Sequence, residues 1–77
     1  MPRGLYNWTF QEINKFLKKH DFFLSYVKGS HHFYVGDVSG IKRQVCVPRH
    51  DSKSIHPATI KGIISQSGID KKEWISK

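Results

Sequence analysis

Three features of the 77-residue sequence predict an α+β domain with the order α-β-β-β-α, three antiparallel strands and two main helices on one sheet face. An amphipathic stretch opens the chain, three β-rich runs separated by turn residues fill its middle, and a second amphipathic stretch begins at a proline. Residues 1–77 are read as a single domain. Its core should be modest, because a short chain buries a smaller share of its surface than a long one.

The first helix begins at Thr9-Phe10-Gln11-Glu12, a capping box with Thr9 as N-cap and Glu12 three residues on. Phe10, Ile13 and Leu17 recur at helical spacing, Phe16 widens the stripe, and the helix should fade near His20-Asp21. Residues 22–28 are aromatic and β-branched, as a strand requires, and Gly29-Ser30 is a turn signal. Residues 31–35 form the second strand, and residues 36–40, bounded by glycines, are expected to loop. The third strand spans residues 41–47, stopped by Pro48. Connections this short favour antiparallel neighbours. Pro57 suits the first position of the second helix, whose stripe is Ile60, Ile63 and Ile64, and Gly68 suits the left-handed position past its end. Asp70-Lys71-Lys72-Glu73 caps a last short helix, and Trp74 and Ile75 should fold back onto the body. Trp8 and Trp74 are assigned to the core. With both helical stripes on one face of the sheet, the other face stays open.

Thirteen Lys and Arg against six Asp and Glu give a formal net charge of +7. Such a surface attracts polyanions, chiefly through release of counterions from phosphates. The cations are interleaved with aromatic residues rather than gathered in a tail, which favours nucleic acid as partner. The open sheet face is the expected platform. Cys46 is single, so an internal disulfide is excluded and a reducing cytoplasm is expected. It lies in Val45-Cys46-Val47 and reads as a small buried hydrophobe. Residues 1–8 hold no apolar core of a signal peptide, and no apolar run reaches membrane-spanning length, so no membrane role is expected.

Several segments together resemble one family. They are Leu17-Lys18-Lys19-His20-Asp21-Phe22, Lys28-Gly29-Ser30-His31-His32-Phe33-Tyr34, Val45-Cys46-Val47-Pro48-Arg49-His50, and the tail from Ile55-His56-Pro57 through Ser67-Gly68-Ile69. In that order they resemble the HicA (YcfA-like) mRNA interferase toxins. The resemblance implies a fold like the double-stranded-RNA-binding domain and endoribonuclease activity without a metal or small-molecule cofactor. It also implies neutralisation by a HicB-like antitoxin.

Cleaving RNA through its own 2′-hydroxyl needs a base, an acid and a group that stabilises charge on the phosphate. Histidine suits the first two roles at neutral pH. Lysine and arginine suit the third. The resemblance places the catalytic histidine at His31, with His32 as its rival. Lys28, Gly29, Ser30, Lys42, Arg43, Arg49 and His50 are the expected RNA contacts. Adjacent strand residues point to opposite faces. If Phe33 and Val35 face the helices, His31 turns inward and His32 outward with Tyr34, which favours the rival. The residues also admit plainer readings: a half-buried histidine pair, a solvated Arg49, a loop-capping His50 and a helix-capping His56. A zinc site from Cys46, His50 and His56 with His31 or His32 matches no common spacing, so no metal is expected. A non-catalytic RNA-binding module of the same fold is the alternative function.

Overall fold

A computed structural model of the chain describes residues 8–49 and 54–75. The elements are α1 (Phe10–Lys19), β1 (Phe23–Lys28), β2 (His31–Val38), β3 (Ile41–Pro48), α2 (Pro57–Ser67) and α3 (Lys71–Ile75). The sheet is antiparallel in the order β1-β2-β3.

The local signals act as read. The Thr9 hydroxyl accepts the Glu12 N–H at 3.3 Å, and the Glu12 carboxylate accepts the Thr9 N–H at 3.0 Å. A cap of this kind stabilises a helix by about 0.5–2 kcal/mol. Phe10, Ile13 and Leu17 are buried. His56 caps α2, its Nδ1 accepting the Ala58 N–H at 3.1 Å, so the plainer reading of His56 holds. Gly68 closes α2 at φ +72°. An alanine there would also press its Cβ to 2.6 Å from Arg43 Nε, because that side chain lies under the helix end. Asp70 accepts the Lys72 N–H at 2.9 Å and starts α3.

Two expectations change. β1 starts at Phe23, because Phe22 is drawn wholly into the core. The glycine-bounded stretch 36–40 is mostly strand: β2 runs on to Val38, and only Ser39 and Gly40 turn. Both have positive φ, 52° and 80°, which matches the twist of a two-residue hairpin. Gly36 is therefore not a loop residue. It sits in β2 because the Phe22 ring lies on it, and a Cβ there would come within 2.8 Å of that ring. Gly36→Ala is accordingly expected to destabilise the fold by about 1–3 kcal/mol through overpacking. In a domain this size that is a fall of several degrees in thermal midpoint, at ~4–8 °C per kcal/mol.

The core lies between the helices and one sheet face. Ile13 and Leu17 of α1, Ile60 and Ile63 of α2, Tyr34 of β2, and Val45 and Val47 of β3 meet there. Trp8 and Trp74 both join this core, and Trp74 stacks on Phe16 with ring centres 3.9 Å apart. Sequential antiparallel strands with both main helices on one face are the arrangement of the double-stranded-RNA-binding-domain fold. The opposite face has no layer over it among the described residues. No described helix is long and apolar enough to cross a membrane.

Candidate functional site

Gly29 and Ser30 form the whole connection between β1 and β2. Gly29 takes φ +60° while Ser30 keeps a negative φ, the pattern of a hairpin turn with glycine in its first central position. Among the described residues nothing lies within 4 Å of where a Gly29 Cβ would be, so they leave the backbone at this tip open. The turn is tied to the end of β3, where the Arg49 N–H donates to the Ser30 carbonyl at 2.8 Å.

The register decides which way the two histidines point. Lys28 pairs directly with His31. Directly opposed residues on antiparallel strands share a face. Tyr34 is core-facing, with 1% of its surface exposed, so His32 shares the helical side and His31 the outer side. This corrects the premise that Phe33 and Val35 face the helices. The hydroxyl of Tyr34 explains the choice: it donates to Asn14 Oδ1 of α1 at 2.7 Å, a bond neither neighbour could supply.

The consequence is two distinct environments. His31 is exposed, and so is Lys28 beside it. His32 is half-buried, its ring 4.7 Å from that of Phe10, and its Nδ1 is buried with no hydrogen-bond partner among the described residues. Arg49 reaches the same side, its guanidinium carbon 5.2 Å from the centre of the Phe10 ring. That cation–π contact fixes the charge beside the turn. Tyr34 is close enough for its phenol to feel Arg49. Burial pushes the Tyr34 phenol above its ordinary range, and the Arg49 charge partly opposes that.

The structure therefore gathers Lys28, Gly29, Ser30 and His31 at one end of the sheet, with His32 and the Arg49 guanidinium on its helical side. It does not bring Lys42 and Arg43 there. Asp37, the partner of Lys42, lies six residues along β2 from His31, about 20 Å away. Arg43 points to the helical side, where its Nε is buried against Gly68. His50 lies outside the described residues. Sequence reading missed Phe10 and Asn14, which orient Arg49 and Tyr34. Their only signal was a place on α1, and strand-to-helix pairing is invisible before folding.

Cys46 is not the fully buried hydrophobe expected. Val45 and Val47 take the core positions, so Cys46 pairs with Phe33 on the outer side and is half-buried. Desolvation still pushes its thiol above the ordinary value. That is the opposite of what an activated nucleophile requires. Among the described residues no three His, Cys, Asp or Glu side chains group as metal ligands.

Comparison with known proteins returns no match among curated proteins and none among solved structures. A sequence profile described as the HicA toxin of bacterial toxin-antitoxin systems matches residues 10–69. That span runs from the first residue of α1 past the end of α2 and includes the whole sheet and its Gly29-Ser30 turn. With most of the chain matched and the α-β-β-β-α fold in place, the chain belongs to the HicA family of bacterial toxins.

Proposed function

We propose that this HicA-family protein is a metal-independent endoribonuclease, acting on mRNA in the cytoplasm and held in check by a HicB-like antitoxin. The observation that carries the reading is an exposed imidazole, His31, paired across the strands with an exposed lysine, Lys28, beside an open glycine turn. Lys28 lies where it can neutralise a phosphate as a point charge. Gly29 lets the phosphate approach the backbone closely. Arg49, held by Phe10, adds positive charge at the same sheet end from the helical side.

In the reaction the 2′-oxygen of a ribose attacks the adjacent phosphorus, and the bond from phosphorus to the 5′-oxygen breaks. A base takes the 2′-hydroxyl proton, and an acid delivers a proton to the departing 5′-oxygen. His31 performs one of these transfers. Lys28 stabilises the charge that develops on the phosphate. An antitoxin laying acidic groups over the turn would block RNA by occupying the same cations.

The test uses purified protein in EDTA with an RNA strand and a DNA strand of equal sequence. RNA is expected to be cut and DNA left intact, since DNA lacks the attacking hydroxyl. Equal cutting of both strands, or activity that EDTA abolishes, contradicts the mechanism. Salt-dependent RNA binding without cleavage would instead indicate the non-catalytic module.

A further inference from the structure

β1 carries an unexpected feature. Its register with β2 slips between Leu24 and Tyr26, leaving Ser25 as an extra residue. Residues three apart on a regular strand point to opposite faces. The bulge reverses this for Phe23 and Tyr26. Phe23 pairs with Val35 and Tyr26 with Phe33, and those two partners share the outer face. The bulge therefore brings both aromatic rings to the open side. Phe23 is 67% exposed and Tyr26 49% exposed, and both are unusual for rings of this size. Tyr26 also stacks on Phe33, with ring centres 4.4 Å apart and planes within 8° of parallel.

We propose that this outer face is a nucleobase-stacking site for single-stranded RNA, with Tyr26, backed by Phe33, as its platform and Phe23 as an exposed apolar neighbour. Phe33 takes one face of the Tyr26 ring, so a base stacks on the other, and Phe23 stands roughly 7 Å along the sheet as an apolar neighbour. Bases in a single strand stack on aromatic side chains in this way, with little dependence on sequence. The site is continuous with the cations. Lys28 follows Tyr26 by two residues on the same strand and face, and His31 lies across from Lys28. A strand whose base rests on Tyr26 thus runs its backbone toward the turn. The chain's +7 net charge complements RNA. The bulge argues against the other occupant of such a face, an added protein strand, because it interrupts the regular edge ladder that strand would need.

This inference rests on the RNA-cleaving reading, and its test separates the two. Fluorescence anisotropy would measure binding of a labelled eight-nucleotide single strand with 2′-O-methyl sugars, which cannot be cut, and of an abasic strand of equal length, sugar and charge. Wild type is expected to bind the intact strand about tenfold more tightly than the abasic one, in line with one stacked base. Tyr26→Leu should lose that tenfold preference while keeping the same dependence on salt, and Tyr26→Phe should keep it. A circular dichroism melt establishes that each variant is folded. Equal affinity of wild type for both strands overturns the stacking site, as does an unchanged preference in folded Tyr26→Leu, which would leave the face to a protein strand. Failure of wild type to bind or cut RNA at all overturns the nuclease reading together with this one.

Discussion

Replacing His31 by alanine is expected to lower RNA cleavage by about 10²- to 10⁴-fold, the usual contribution of a positioned acid or base. Expression of the variant should no longer arrest growth. Stability should hardly change, because the side chain is exposed and makes no hydrogen bond to the rest of the fold among the described residues. Substitutions at such positions shift stability by about 0.5 kcal/mol or less. His32→Ala should behave in the opposite way. Its half-buried ring packs against Phe10, so the variant should melt earlier, while the folded fraction cuts RNA within about tenfold of wild type. Cleavage rates measured beside thermal melts for the two variants separate these outcomes. A dead His32→Ala with an active His31→Ala would move the chemistry to the helical side, next to Phe10 and Arg49.

The largest effect on the fold is expected from Trp74→Ala. Trp74 lies in the five-residue α3, beyond the span that the family profile matches, yet it is 2% exposed. It stacks on Phe16 and meets Trp8 edge-on at 5.5 Å, so it ties the end of the chain to the first helix. Truncating a buried tryptophan to alanine typically costs about 3–5 kcal/mol. A chain of this length has only about 4–12 kcal/mol of stability to lose, at ~0.05–0.15 kcal/mol per residue. The variant should therefore unfold at markedly lower urea concentration, and a large part of it should be unfolded near 37 °C. Trp74→Phe should be milder: it keeps the stack on Phe16 and removes an indole N–H that is buried with no hydrogen-bond partner among the described residues. A Trp74→Ala protein with a wild-type urea midpoint would mean that α3 is not part of the core.

The helices were legible because their signals are local. Thr9 and Glu12 cap each other within one turn, and His56, Pro57 and Gly68 mark both ends of α2. The sheet was legible in its order and in its Gly29-Ser30 turn, but not in its facing. Phe33, Tyr34 and Val35 are all apolar enough to be core, so alternation alone cannot choose a side. The Asn14 carbonyl above Tyr34 makes that choice, from 20 residues away in sequence. Gly36 misled for a related reason. A glycine that frees the backbone for a turn and a glycine that makes room for a ring read alike until Phe22 is seen on top of it.

The candidate site was half legible. Lys28 to His31 were legible as one turn because they are contiguous. Lys42 and Arg43 were joined to them by charge alone, and the register separates them. Phe10, which holds Arg49, and the Ser25 bulge, which turns Tyr26 outward, depend on pairings between distant segments. Neither leaves a trace in composition or spacing.

The central claim is that a ribose-phosphate lies against the turn between β1 and β2. The most direct measurement is chemical-shift mapping of the wild-type protein with a strand carrying 2′-deoxy sugars, which binds but lacks the attacking hydroxyl. The largest changes are expected at Lys28, Gly29, Ser30 and the His31 imidazole. Changes confined to α1 lysines such as Lys15 and Lys18, with the turn unmoved, would contradict the account.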